Sequence, residues 1–172
     1  MNYICKGNTA EIFEYADNRV CKLFYPNYPI EYIQHEFRNT ILSYKLGINT
    51  PKAYEIISKN NRNGIIFDRI DGDKLFGKVF SNDNPYASNW LTRFADFHKD
   101  LLTHNIDEAI SYKDFLKMFA LEEKTIQMIN ALDDDKCFLH GDLHLDNVMV
   151  NKENQFVLID MMNVCKGPAL YD

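Results

Sequence analysis

The stretch from Cys137 to Val150 holds the densest group of chemically capable side chains in this sequence. An apolar start, Cys137-Phe138-Leu139, delivers His140-Gly141-Asp142-Leu143-His144-Leu145-Asp146-Asn147, and a second apolar run, Val148-Met149-Val150, follows at once. Short apolar runs bounded by turn residues read as buried strands, and chemistry collects in the loops at their ends. A third run, Phe156-Val157-Leu158-Ile159, ends in Asp160, with Asn151-Lys152-Glu153-Asn154 as turn chemistry before it. The last two runs therefore predict a β-hairpin. Pairing of residue 150 or 151 with 155 would put Asn147 and Asp160 nearly opposite, with Cβ atoms about 5 Å apart. An amide oxygen and a carboxylate at that spacing suit a hard cation, which takes oxygen ligands. Asp142 arrives from the preceding loop. A carboxylate lodged against apolar strands is costly when unpaired, so Asp160 calls for a metal or a cationic partner.

The elements that must carry these groups can be read in order. Residues Asn2 to Phe24 alternate and turn as an antiparallel meander, with turns at Lys6-Gly7-Asn8-Thr9 and Ala16-Asp17-Asn18-Arg19. Lys22 shares a face with Val20 and Phe24. A lysine in such company either snorkels to water, the commoner fate, or has a partner. After the break at Pro26 to Pro29, Ile33, Phe37, Ile41 and Tyr44 recur at helical spacing and Gly47 closes the helix. Glu36 borders that stripe, where it is solvated or points to the sheet. Ala53 to Ile57 and Gly64 to Phe67 read as two further strands. Polar, extended Asp68 to Asp73 follows, and Phe67 to Gly72 is expected to be a hinge between a small β lobe (1–70) and a larger α-rich lobe (71–172). Residues 73–88 are loosely patterned. Trp90, Phe94, Phe97, His98 and Leu101 mark an amphipathic helix, with His98 and His104 as surface or packing histidines. Ser111-Tyr112-Lys113-Asp114 is a capping-box start to an apolar stripe of Phe115, Met118, Phe119, Ile126, Ile129 and Leu132. Asp133-Asp134-Asp135 reads as a solvated turn, because consecutive side chains diverge.

Composition narrows the classes. A chain of 172 residues can bury a substantial core, and 46% hydrophobic with 26% charged residues is ordinary for a globular protein. The net charge of −6 argues against a nucleic-acid surface and permits a cationic substrate. Cys5, Cys21, Cys137 and Cys165 form no CxxC pair and are expected as core thiols of a reducing compartment. No window approaches a membrane span and no apolar leader stands behind a basic start, so a cytoplasmic protein without a membrane partner is expected. Nothing in the sequence addresses oligomeric state.

His140-Gly141-Asp142-Leu143-His144-Leu145-Asp146-Asn147 with Leu158-Ile159-Asp160 resembles the aminoglycoside phosphotransferase and choline kinase family, marked by HGDxHxxN and a downstream ID. The spacing from Asp142 to Asn147 also fits the catalytic loop of protein kinases, and Gly141 in place of arginine points to the small-molecule branch. The resemblance implies an α+β, two-lobed protein-kinase-like fold. An N-terminal antiparallel sheet with one helix would precede a mainly helical lobe holding a catalytic loop and hairpin. It implies that Lys22 contacts ATP phosphates and is held by Glu36, and that backbone groups from Asp68 to Ile70 bond adenine. Asn147 and Asp160 would hold magnesium, Asp142 would orient a small-molecule hydroxyl and take its proton, and His140 and His144 would brace the loop. Two departures stand out: the first turn has one glycine, and Met161-Met162-Asn163 follows Asp160 where an aromatic residue and then an acid are commoner. Gly167-Pro168-Ala169-Leu170-Tyr171-Asp172 resembles the family's G-x-x-x-x-D segment, normally followed by helices that complete the substrate pocket. A truncated, split or minimal form is therefore expected.

Two other readings compete. A metallophosphoesterase would use Gly141-Asp142-x-His144, but it needs an earlier DxH and later histidines, and none follows His144. A non-catalytic, nucleotide-binding pseudokinase would fit the short C-terminal part, against which stands the full set of Lys22, Glu36, Asp142, Asn147 and Asp160.

Overall fold

The computed structural model describes residues 1–16, 18–81, 85–120 and 122–172. Asp17 of the expected second turn, and residues 82–84 of the loosely patterned stretch, lie outside them. The fold is mixed, with antiparallel strands first and helices later. It forms two compact units, Met1–Asp73 with Val148–Met162, and Lys74–Asn147 with Asn163–Asp172. The first segment of the first unit ends at Asp73, close to the expected boundary at 70/71, and the hairpin segment Val148–Met162 belongs to the same unit.

In the first unit, β1 (Tyr3–Lys6), β2 (Ala10–Tyr15), β3 (Arg19–Phe24), β4 (Ala53–Lys59) and β5 (Arg62–Asp68) form one sheet in the order β1-β2-β3-β5-β4. Every pairing is antiparallel. Asn60 and Asn61, both at positive φ, make the tight turn between β4 and β5, a conformation that asparagine tolerates better than most residues. Strand alternation sorts the side chains of β3 to two faces. Cys21 and Leu23 pack with Ile66 on one side, and Phe24 packs with Ile33, Ile65 and Phe67 on the other. Removing each of these large side chains from water contributes about 1.5–3 kcal/mol.

The second face receives α1 (Ile30–Lys45). Its observed inner side corrects the predicted stripe. Ile33 is fully buried, but Phe37 and Ile41 are only partly so and Tyr44 is exposed. The residues that α1 buries include Glu36, Asn39, Thr40 and Ser43. Each of these four has a polar partner, as detailed below, and that partnering is what permits their burial.

The hairpin of β8 (Val148–Asn151) and β9 (Phe156–Leu158) has the expected register, since Val150 pairs with Phe156 and the Asn151 N–H donates to the Gln155 carbonyl. It is tied into its unit by Asn49, whose carbonyl accepts from Leu158 N–H (2.8 Å) and whose amide donates to the Phe156 carbonyl (2.7 Å). On its other side lies β6 (Gly72–Lys74), formed from the end of the polar, extended stretch Asp68–Asp73.

The second unit holds α2 (Leu75–Phe80), α3 (Ala87–Leu101), α4 (Tyr112–Lys117), α5 (Glu123–Asn130) and the strand pair β7 (Cys137–Leu139) with β10 (Cys165–Gly167). Ser111 caps α4 as predicted: its hydroxyl accepts from Asp114 N–H and donates to the Asp114 carboxylate. The predicted single stripe from Phe115 to Leu132 is divided between two short helices, with Met118 and Phe119 exposed. Cys21 and Cys165 are buried thiols pushed up to about 11 and about 12 by burial, whereas Cys5 is exposed. No helix among the described residues is long and apolar enough to cross a membrane.

Gly72 provides a test of this packing. A Cβ there would overlap the carbonyl of Val150, which is backbone and has little room to move. Gly72→Ala is expected to destabilise the protein by about 1–3 kcal/mol, read as a lowered midpoint in urea unfolding with an unchanged slope.

Candidate active site

The predicted site residues fall into two sets, each inside one unit. In the first, alternation along β3 turns Lys22 to the face covered by α1, between Val20 and Phe24. Its ammonium lies 2.7 Å from Glu36 Oε1 and 3.0 Å from Asp160 Oδ1. The lysine does not snorkel; its side chain is 12% exposed and that of Glu36 2%. Burial alone would pull the Lys22 pKa down, yet the charges of Glu36 and Asp160 outweigh it and hold the value above that of an ordinary lysine. Burial is also the largest influence on Glu36, raising its pKa, with Lys22 opposing and Asp160 adding to the rise. Glu36 Oε2 is buried without a hydrogen-bond partner, so the glutamate's position depends on the lysine.

Asp160 lies two residues past the last paired position of β9 and adopts φ 64°. A residue other than glycine in this left-handed region is uncommon, and such conformations gather at functional sites. Its side chain is 40% exposed, unlike that of Glu36. The aspartate therefore has access to a ligand as well as to the lysine.

Asp68 and Ile70 occur where β5 ends. The Asp68 N–H donates to the Lys52 carbonyl and the Arg69 N–H to the Asn18 carbonyl. The Asp68 carboxylate accepts from the Tyr54 hydroxyl at 2.7 Å and from Lys52 N–H at 3.3 Å. The side chain of Asp68 thus fastens the start of β4 to the end of β5.

The second set sits on the loop after β7. Asn147 ends a 3-10 turn, Leu145–Asn147. Its amide nitrogen donates to the Asp142 carbonyl (2.9 Å) and approaches the Asp142 carboxylate (3.3 Å). The five-residue spacing is thereby closed into a small ring, with the amide nitrogen, rather than the oxygen, turned to Asp142. His144 is half exposed; its Nδ1 accepts from Asp146 N–H and its Nε2 lies 3.7 Å from Asp142 Oδ2. His140 is fully buried.

Asp172 is the residue whose part in this loop sequence reasoning missed. Gly141 takes φ 75°, and a Cβ there would meet the Asn163 carbonyl at 2.6 Å, so only glycine fits this bend. The Gly141 N–H donates to Asp172 Oδ1 at 2.7 Å, and Asp172 Oδ2 lies 3.4 Å from His98 Nε2 on α3. The available signal was the G-x-x-x-x-D spacing from Gly167, which carries no hint of the partner by itself.

Among the described residues, no group of three or more His, Cys, Asp or Glu could hold a metal alone. Within the first unit, the part-exposed Asp160 carboxylate is an oxygen donor of the kind a hard cation such as magnesium takes.

Removing Lys22 leaves Glu36 buried without its cation, which typically costs about 3–5 kcal/mol. Lys22→Met is therefore expected to lower stability strongly at pH 7. Without the lysine the folded pKa of Glu36 rises further above the unfolded value of about 4.3. Folding then takes up a proton, and the variant regains stability as pH falls from 7 toward 5. Urea unfolding at several pH values measures this; a deficit that does not shrink on acidification contradicts it.

No curated protein matches the chain. The family model of the phosphotransferase enzyme family matches residues 84–172, more than half of the 172 residues. That match includes Asp142, Asn147 and Asp160 but stops short of Lys22 and Glu36, which the folded geometry adds independently. The chain belongs to the phosphotransferase enzyme family.

Proposed function

We propose that this protein is a small-molecule kinase with the two-lobed protein-kinase-like architecture, moving the γ-phosphate of ATP to a hydroxyl of an aminoglycoside, amino alcohol or sugar-like acceptor. The observation that carries the reading is Lys22, held at 2.7 Å by Glu36 and at 3.0 Å by Asp160. Three residues far apart in sequence are gathered into one buried cation with two acidic partners, in a chain whose family transfers phosphate. An isolated buried ion pair is a poor way to gain stability. A cation kept charged and oriented is, by contrast, what a triphosphate requires.

In this reading Lys22 binds nucleotide phosphate and Glu36 keeps its ammonium in position. Asp160 and Asn147 supply oxygen donors to magnesium. Those two residues would hold the magnesium, whose charge would offset the negative charge that gathers on the transferring phosphoryl group. Asp142 orients the acceptor hydroxyl and takes its proton as that oxygen bonds to the γ-phosphorus. The bond from γ-phosphorus to the bridging oxygen breaks, and ADP leaves. With the N–H groups of Asp68 and Arg69 already committed, the adenine contacts assigned to this segment fall to the Asp68 carbonyl and the backbone of Ile70. The acidic balance of the chain, −6, favours cationic acceptors in first encounter.

Coupled ADP release across a panel of aminoglycosides, amino alcohols and sugars tests this. Turnover of at least one acceptor is expected for the wild type. Asp142→Ala should lower kcat by about 10²- to 10⁴-fold with nucleotide affinity largely kept, whereas Asp160→Ala should lose magnesium-dependent nucleotide binding as well. Nucleotide binding with no turnover anywhere on the panel would make the protein a non-catalytic binder. Activity that survives both substitutions would remove the site assignment.

A further inference from the structure

Helix α1 offers a second polar grip besides Glu36. Asn39 lies one turn further along, so the two side chains share a face, and Asn39 is completely buried. Its amide nitrogen donates to the Met161 carbonyl at 3.0 Å. Met161, itself fully buried, is the residue immediately after Asp160. The same helix thus holds Asp160 twice, once through the Glu36–Lys22–Asp160 ion pairs and once through the backbone that follows the aspartate. Asn39 is itself supported from below: the Ser43 hydroxyl donates to its carbonyl and the Thr40 hydroxyl to that of Glu36, each at 2.9 Å.

This backbone grip has a physical task. Asp160 sits at φ 64°, a conformation costing of order 1–3 kcal/mol that persists only where surroundings over-determine it. Met162, next along, accepts from the Tyr28 hydroxyl through its sulfur at 3.1 Å, a weak bond. The amide of Asn39 is the stronger of these two restraints, because it is a buried N–H donor on a peptide carbonyl.

We propose that Asn39 is a positioning residue: by holding the Met161 carbonyl it keeps Asp160 in its left-handed turn, and so sets how strongly the chain holds magnesium on a bound nucleotide. The inference rests on the nucleotide reading above. It divides nucleotide affinity into two parts. Lys22 and the adenine contacts act with or without metal, whereas the gain on adding magnesium passes through Asp160 and depends on Asn39.

Titration calorimetry of ADP and ATP with magnesium, and again with EDTA, separates the parts without any acceptor or turnover. For Asn39→Leu, similar in volume and without the donor, the EDTA affinity should remain within about twofold of wild type. The magnesium-dependent gain should fall by about fivefold to tenfold, the scale of one buried hydrogen bond. The magnesium concentration that half-saturates the effect should rise in parallel. Asn39→Ala, which adds no bulk, carries the same test if the leucine variant does not fold. An unchanged magnesium gain in a folded variant overturns the proposal, as does an equal loss with and without metal, which would mark Asn39 as structural only. Wild-type protein that binds no nucleotide at all would instead overturn the reading beneath it, so the two failures are distinguishable.

Discussion

The first unit depends on a single ammonium placed where the sheet meets its helix. Lys22 occupies a position that strand alternation assigns to the covered face, and a charge there is tolerable only because Glu36 and Asp160 approach within 2.7 and 3.0 Å. The reverse also holds. Glu36 is buried, and one of its oxygens has no hydrogen bond, so without the lysine it could be neither charged nor well satisfied. The interaction couples β3, α1 and the segment after β9 within one unit. Its stabilising value is modest once desolvation is counted, so its purpose lies in fixing where charge is presented.

The surrounding polar contacts on α1 follow from that constraint. A helix that delivers a carboxylate to a lysine has to bury the flank on which the carboxylate stands. Asn39, Thr40 and Ser43 line that flank, with bonds to Met161, Glu36 and Asn39 carbonyls. Apolar residues at these positions would pack, but one at position 39 would leave the Met161 carbonyl without its amide donor. In the second unit the corresponding economy is a glycine. Gly141 bends where a side chain would strike the Asn163 carbonyl, and the Asp172 carboxylate takes its N–H. The loop carrying Asp142 and Asn147 is therefore shaped by groups outside itself as well as by its own spacing.

Membership of the phosphotransferase enzyme family does not draw on the Lys22–Glu36 pair, since the matched residues begin beyond both, and Asp160 is the partner of that lysine that lies within them. The departures in sequence after Asp160 acquire a structural sense here. Met161 takes a fully buried place and Met162 packs against the sheet–helix core. Flexible thioether side chains can fill an irregular gap in that way.

Much of this was legible in the residues alone. Alternation marks β2 and β3, where successive side chains take opposite faces, and short apolar runs flanking turn residues mark β4 and β5. The turn residues and hairpin register followed from local backbone preference, as did the serine cap of α4. The spacing of Asp142 and Asn147 marks a catalytic-loop resemblance, while the hydrogen bond from the Asn147 amide to Asp142 is seen only in the folded loop. Other features needed the tertiary structure. Whether Lys22 snorkelled or paired was open until a helix and a distant hairpin arm arrived beside it. The true buried flank of α1, with Glu36 and Asn39, runs against the apolar stripe, because the partners that satisfy those groups come from residues 22 and 161 and leave no periodic mark. The contact of Asp172 with Gly141 is hidden for the same reason. Local patterns record what neighbours along the chain do to one another, while the pairing of buried polar groups is decided by segments that meet only on folding.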